Sequence, residues 1–316
     1  MPTILSYVEP PEDVLSMMKE TCEVIVERPK HKEAFEEALQ KADGLYGSGL
    51  QVNAELLQKA PQLKVVSNVS VGYDNLNIED IYKQGVIATH TPTVLIDTMA
   101  DTMMGLMLAT ARRMPEMDRL VREGKWVKPT SPEWFGVNVS RKKLGIIGMG
   151  RIGEEVARRA GIGFHMDVVY YNRRQRPDAE ERCGASYAEL DDLLKTCDFV
   201  MVLTPLTEQT KHLIGAREFE LMKKDAIFLN GGRGPVVVEN DLVKALQKGD
   251  ILAAGLDVFD REPLGEKSPF QELDNVVTLP HIGTATHETR HAMFVDAAEQ
   301  CVDGVHGRTP AHVIPG

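Results

Sequence analysis

Short β-rich runs alternate with amphipathic helical patterns along almost the whole chain, and few folds accommodate that alternation. In the first hundred residues the runs are Ile4 to Val8, Glu23 to Val26, Gly44 to Tyr46, Lys64 to Asn68 and Val86 to Thr89, with helical stretches such as His31 to Lys41 and Asn53 to Lys59 between them. Strands joined through helices lie parallel, so this part predicts an α/β domain with a parallel sheet. A second series runs through Leu144 to Gly148, Val168 to Tyr171, Phe199 to Leu203, Ala226 to Asn230, Leu252 to Asp257 and Val276 to Leu279. Helical patterns at Arg151 to Ala160, Tyr187 to Thr196 and Glu239 to Lys248 separate most of these runs. Six buried parallel strands are the count of a doubly wound dinucleotide-binding fold.

Between the two series, Asp97 to Arg122 predicts one long apolar helix carrying Met99, Met103, Met104, Met107, Met114 and Met117. A methionine stripe at helical spacing reads as core packing before it reads as a cofactor grip. The stretch Lys125 to Ser140, with two prolines and both tryptophans, has no period and is expected to be an ordered loop. The pattern from His287 to Val305 predicts a last helix that returns to the first domain.

Composition narrows the function classes. Among 316 residues, 36 Lys and Arg stand against 47 Asp and Glu, a net charge of −11, which disfavours phosphate backbones and hence nucleic acid as a partner. Cys22, Cys183, Cys197 and Cys301 are far apart with no C-x-x-C pair, so neither a disulfide framework nor a zinc knuckle is expected, and a reducing cytoplasm is. No basic segment precedes an apolar run at the start, and no apolar run approaches the ~18 residues of a membrane span. A cytoplasmic protein with no membrane partner is the expectation.

The glycine loop carries the first chemistry. Gly148-Met149-Gly150-Arg151-Ile152-Gly153 follows the strand Leu144 to Ile147 directly and opens a helix. Gly148 permits the tight turn, Gly150 lets backbone approach a pyrophosphate, Gly153 allows close helix-to-strand packing, and phosphate sits at the helix N-terminus. Where a carboxylate would hold the ribose 2′-hydroxyl of NAD, the sequence reads Tyr170-Tyr171-Asn172-Arg173-Arg174-Gln175-Arg176. Arginines in place of an acid suit a 2′-phosphate, so NADP(H) is preferred, with NAD(H) possible.

Ligands in doubly wound sheets lie beyond the carboxyl ends of the strands. Arg233 follows the strand ending at Asn230, Glu262 follows the one ending at Asp257, and His281 follows the one ending at Leu279. Reduction of a 2-keto acid needs a cation for the carboxylate, a proton donor for the nascent alkoxide and a group that orients the donor. A guanidinium, an imidazole and a carboxylate supply these three. Each alone has an ordinary reading, as a turn cap, a loop histidine or a surface charge; their placement together favours catalysis.

With these residues in view, the sequence resembles the D-isomer-specific 2-hydroxyacid dehydrogenases, most closely their glyoxylate/hydroxypyruvate and 2-ketogluconate reductase branch. The similarity rests on Ser70 to Asn75, Gly148 to Gly153, Leu203 to Thr207, Asn230 to Pro235, Gly255 to Phe259 and Pro280 to Arg290. It implies a Rossmann dinucleotide-binding domain over residues 100–284, inserted into a flavodoxin-like substrate domain of residues 1–99 and 285–316. It implies Arg233 as substrate binder, Glu262 as support for the acid–base residue and His281 as that residue, with backbone at Val71 and Gly72 on the substrate carboxylate. Cofactor contacts are expected at Gly148, Gly150, Arg151, Ile152, Gly153, Asn172, Arg173, Arg174, Thr204, Pro205, Thr210, Gly231, Gly232, Asp257 and Gly283, with Asp257 on the nicotinamide amide. A homodimer is implied too. Val238 stands where the family usually has Asp and Ile96 where it has Thr, and Asp260-Arg261 is an unusual pair before Glu262. Val238 is expected to alter the start of the next helix, and Ile96 the surface facing the cofactor.

The expected activity is reduction of glyoxylate, hydroxypyruvate or 2-ketogluconate to the D-2-hydroxy acid. A non-catalytic NADP-sensing protein on the same fold is the alternative. His287-Glu288-Thr289-Arg290-His291 also matches the H-E-x-x-H zinc motif, but no third ligand follows at the extended spacing, so no metal is expected.

Overall fold

The computed structural model describes residues 1–316, which fold as two compact units: Met1–Leu95 with Ala285–Gly316, and Ile96–Thr284. In the first unit, β1 (Thr3–Ser6), β2 (Glu23–Val26), β3 (Gly44–Gly47), β4 (Val65–Asn68) and β5 (Ile87–Thr89) form one sheet in the order β2-β1-β3-β4-β5. Every pair is parallel, which is the flavodoxin-like arrangement. The helix His287–Val305 covers one face of this sheet. It is held by Ser67 Oγ on the Ala297 carbonyl at 2.6 Å and by the Tyr46 hydroxyl on the Phe294 carbonyl at 2.8 Å.

In the second unit, β6 (Lys143–Ile147), β7 (Asp167–Tyr171), β8 (Ser186–Tyr187), β9 (Phe199–Val202), β10 (Ile227–Asn230), β11 (Ala253–Leu256) and β12 (Val276–Thr278) run in the order β12-β11-β10-β9-β6-β7-β8. The sequence predicted six strands here; the seventh, β8, is a two-residue strand paired to Val169 and Tyr170, too short to show a pattern of its own. Apolar side chains pack on both faces, Leu144, Ile146 and Met201 towards one and Ile147, Val200 and Val202 towards the other, as a sheet covered on both sides requires. No helix is long and apolar enough to cross a membrane.

The predicted single helix over Asp97 to Arg122 is two helices, Ile96–Ala111 and Met114–Arg122. Arg113 interrupts it with a left-handed φ of 54°, and its guanidinium grips both Glu116 carboxylate oxygens at 2.7 and 2.6 Å and the Glu133 carbonyl. Met99, Met103, Met104 and Met107 of the first helix are buried, whereas Met114 of the second is 49% exposed. The second helix has no buried residue at all. The methionines thus divide between core and surface at the break.

Candidate active site

The register of the second sheet creates one edge on which the chemistry gathers. Ile147 pairs with Tyr171 and with Val202, Asn230 pairs with Val202 and with Leu256, and Leu256 pairs with Thr278. These strand ends are level, so the chain leaves all of them along the same side of the sheet. The crossover between β6 and β9, where the strand order reverses, is where a doubly wound sheet opens a ligand crevice.

Gly148 has a φ of 109°, and a Cβ there would stand 2.8 Å from the Leu203 carbonyl carbon and the Thr204 nitrogen. Only glycine fits that turn. A Cβ at Gly153 would stand 2.6 Å from the Gly148 carbonyl oxygen, while one at Gly150 would meet nothing. The loop is therefore closed towards the sheet and open outwards, in front of the helix Arg151–Phe164. Arg151 is exposed at its start, and Ile152 packs against the core beneath. Beside the loop, Thr204 Oγ1 is buried and has no hydrogen-bond partner. A buried hydroxyl without a partner, next to an open glycine turn at a helix N-terminus, fits a dinucleotide whose polar groups complete it.

Of the other residues expected to contact cofactor, some are committed to the protein itself. Asn172 clamps Met149 from both sides, Oδ1 accepting its N–H at 2.7 Å and Nδ2 donating to its carbonyl at 3.1 Å, so it shapes the glycine loop. The Thr210 hydroxyl donates to the Pro205 carbonyl at 2.6 Å and accepts the Thr207 N–H at 2.8 Å, closing the exposed turn that carries Pro205. Gly231 and Gly283 lie under the methionines of the long helix: a Cβ at either would collide with Met103 or Met99 Sδ respectively. Gly232 touches the Thr204 carbonyl, with 2.6 Å to a built Cβ.

The three arginines after β7 separate into two kinds. Arg176 donates to Asp178, to Glu154 and to the Met149 carbonyl, and Arg182 joins the same two carboxylates. Those hydrogen bonds hold the Asp178 carboxyl far below the usual carboxylate range. Arg173 and Arg174 are exposed, Arg173 donating to Gln209 Oε1 at 2.8 Å.

His281, Glu262 and Arg233 meet on the same edge. His281 Nδ1 lies 2.6 Å from Glu262 Oε2, and Glu262 Oε1 accepts the Phe259 N–H at 2.9 Å. Burial alone would raise the Glu262 carboxyl; the hydrogen bonds from His281 and Phe259, with the charges of His281 and Arg233, outweigh it and hold it below its ordinary value. Arg233 is near enough to act on that charge, and its Nη1 donates to the Gly232 carbonyl at 3.0 Å. Its turn is set by buried Asn230, which accepts the Gly232 N–H and donates to the Arg233 carbonyl. Buried Asp257 accepts the N–H groups of Ile282 at 2.8 Å and Gly283 at 2.9 Å, so it braces the peptides that follow His281. Neither brace is legible in the sequence, where Asn230 reads only as a strand end and Asp257 as a candidate nicotinamide contact, not as an acceptor for the Ile282 and Gly283 amides.

In the first unit, the loop after β4 carries Val71 and Gly72. The His90 imidazole Nδ1 lies 2.9 Å from the Val71 carbonyl and Asn68 Nδ2 donates to the Gly72 carbonyl at 2.8 Å. Both peptide planes are thereby fixed. The helix after Val238 starts with no side-chain cap, Val238 having no acceptor to offer. Of the H-E-x-x-H histidines, His291 Nε2 is 2.7 Å from Asp13 Oδ2, and no three His, Cys, Asp or Glu are grouped to hold a metal ion.

The family model of the D-isomer specific 2-hydroxyacid dehydrogenase NAD-binding domain matches residues 104–283. The chain belongs to this family. It is a D-2-hydroxyacid dehydrogenase family oxidoreductase, and its second unit is the family's NAD-binding domain. A glyoxylate/hydroxypyruvate reductase B of Citrobacter koseri is 48% identical over 99% of this chain and 98% of the relative. The protein of the same name from Escherichia coli K12 is 46% identical over the same shares. Among solved structures, an NADPH-dependent glyoxylate/hydroxypyruvate reductase from Sinorhizobium meliloti in complex with NADP and malonate superposes with a TM-score of 0.87 at 30% identity, over 99% of this chain and 96% of that one. A protein from Thermus thermophilus superposes with a TM-score of 0.90 at 37% identity, over 99% and 100%.

Proposed function

We propose that the protein reduces a small 2-keto acid, glyoxylate or hydroxypyruvate, to the D-2-hydroxy acid with NADPH. The observation that carries this reading is the 2.6 Å contact between His281 and Glu262 beside Arg233, on the strand edge that also bears the glycine loop. Glu262 takes His281 Nδ1, which leaves Nε2 as the ring nitrogen that hands a proton to the substrate oxygen. Arg233 supplies a forked cation for the substrate carboxylate. The amides of Val71 and Gly72, in the loop pinned by His90 and Asn68, are our further candidates for that carboxylate. When bound, reduced nicotinamide supplies the hydride. Asp257 holds the Ile282 and Gly283 amides that follow His281, and its acceptor capacity beyond these two suits a carboxamide N–H. Arg173 and Arg174 favour NADPH, and Arg176 is a brace for the loop beneath them. The name of the E. coli relative and the NADP in the S. meliloti structure support the same choice of substrate and cofactor.

We take the working form to be a homodimer in a reducing cytoplasm. The helix Met114–Arg122 and the loop after it expose Met114, Val121, Trp126, Val127 and Phe135, and Val121, Trp126 and Phe135 line a groove of about 550 Å³. An apolar surface of this kind suits a second copy of the chain. The four thiols are free, and three are buried. The deciding experiment is absorbance-monitored oxidation of NADPH and NADH with glyoxylate, hydroxypyruvate, pyruvate and 2-ketogluconate. Turnover of glyoxylate or hydroxypyruvate with NADPH is expected; NADPH binding without turnover of any of the four would instead make the protein a sensor.

A further inference from the structure

A third carboxylate stands behind the acid–base pair. Glu239, first residue of the helix Glu239–Lys248, is half-buried, and its Oε1 accepts the N–H of Asp260 at 2.6 Å. The preceding N–H, from Phe259, goes to Glu262 Oε1 at 2.9 Å. Two carboxylates from separate parts of the chain thus hold successive amides of the turn that leads to Glu262. The same peptide lies against Gly234, where a Cβ would collide with the Phe259 carbonyl and the Asp260 nitrogen. Gly234 directly follows Arg233. The Phe259–Asp260 peptide is therefore the surface on which the turn of the guanidinium and the turn of the catalytic carboxylate meet.

Helix formation by itself gives a weak reason for this arrangement. A first-turn acid helps the helix dipole from any exposed rotamer. Glu239 instead turns inwards, where burial raises its carboxyl and the charges of Asp260 and Glu262 act in the same direction against the Asp260 hydrogen bond. An unfavourable carboxylate persists where the contact it makes is needed.

We propose that Glu239 is a positioning residue for the acid–base pair: by fixing the Phe259–Asp260 peptide it sets where Glu262, and through Glu262 the His281 ring, stands relative to Arg233. This rests on the reading of His281 as proton donor. The contact depends on reach, so the two conservative variants separate a positional role from a charge role. Glu239→Asp keeps the negative charge at the helix start but is one methylene too short for the Asp260 N–H. Glu239→Gln keeps the reach and the acceptor and loses the charge.

The experiment is steady-state kinetics of both variants with NADPH and the best 2-keto acid, with NADPH affinity measured separately by fluorescence titration. The expected result is a kcat lower by roughly ten- to a hundredfold in Glu239→Asp, the scale of a small misplacement of catalytic groups. NADPH affinity should be unchanged, and Glu239→Gln should rescue most of the turnover. Wild-type kcat in Glu239→Asp, or a loss in Glu239→Gln as large as in Glu239→Asp, overturns the positioning role. A wild-type protein inactive on every 2-keto acid ends the reading of the site and this inference with it, whereas an active wild type with the variants ranked the other way ends this inference alone.

Discussion

His281 holds a left-handed φ of 54° while its Nδ1 faces Glu262 Oε2 at 2.6 Å. Such a backbone costs a non-glycine residue about 1 kcal/mol or more, and it persists where the surroundings over-determine it. Glu262 fixes the ring, and Asp257 fixes the two peptides that follow. Removing the imidazole in His281→Ala should lower turnover by ~10²-fold or more and leave NADPH affinity within a few-fold, since the group acts on a proton and not on the cofactor. Full turnover in that variant, measured at saturating substrate, would refute the assignment.

Asp257→Asn sets a donor against one of the two N–H groups that Asp257 accepts. The His281 segment should then loosen, with a loss of roughly tenfold or more in kcat. Global stability should fall as well, because a buried N–H loses its acceptor. Calorimetry and kinetics on the same preparation test this, and an unchanged kcat would show that the two amides do not govern the histidine.

The Glu262 carboxyl is held below its ordinary value, which fixes the sign of a pH effect. A depressed folded-state pKa stabilises the fold above the unfolded value of about 4.3, and that contribution disappears as pH falls through the folded value. On acidification from about pH 5, the unfolding temperature of the wild type should therefore fall more steeply than that of Glu262→Gln, which has no such proton to take up. Parallel curves would contradict the pairing. At neutral pH, Glu262→Gln should lose turnover by roughly a hundredfold, because an amide cannot both accept the Phe259 N–H and hold Nδ1 as a carboxylate does.

Much of this was legible beforehand. The alternating runs dictate parallel sheets, and Gly148 to Gly153 announces a tight turn because glycine is the residue that such a turn requires. Arg233, Glu262 and His281 were visible through their places after strands, since level strand ends bring together residues distant in sequence. What escaped depends on side-chain direction. The Arg113 break was missed because the methionine spacing runs on across it, from Met107 to Met114 and Met117, although Pro115 in the first turn of the second helix marks a new start. Arg176 reads like Arg173 and Arg174 until its ion pairs with Glu154 and Asp178 are seen, and Glu239 reads as a helix-start acid until it turns inwards.

That division among the arginines is testable through cofactor choice. Arg173 and Arg174 are exposed and stand where an acid would otherwise hold a 2′-hydroxyl, so changing both to Ala should weaken NADPH by roughly ten- to a hundredfold and NADH far less. Arg176→Ala should affect both cofactors alike, through the glycine loop and its Met149 contact, and should lower the unfolding temperature. Titration of each variant with both cofactors checks this. A selective loss of NADPH binding in Arg176→Ala would reverse the assignment.

The exposed helix after Arg113 yields the last prediction. Val121 is 52% exposed and Phe135 61% exposed, and neither contributes to the buried clusters, so a charge at either position should cost the monomer little. At an interface between two copies each such substitution removes an apolar side chain whose burial is worth about 1.5–3 kcal/mol and buries an unpaired charge as well. Val121→Asp combined with Phe135→Asp should therefore turn a dimer into a monomer at micromolar concentration in sedimentation velocity, while far-UV circular dichroism stays that of the wild type. A wild-type chain that sediments as a monomer over the whole concentration range, or a double variant that still sediments as a dimer, would show that this surface is not where two copies meet.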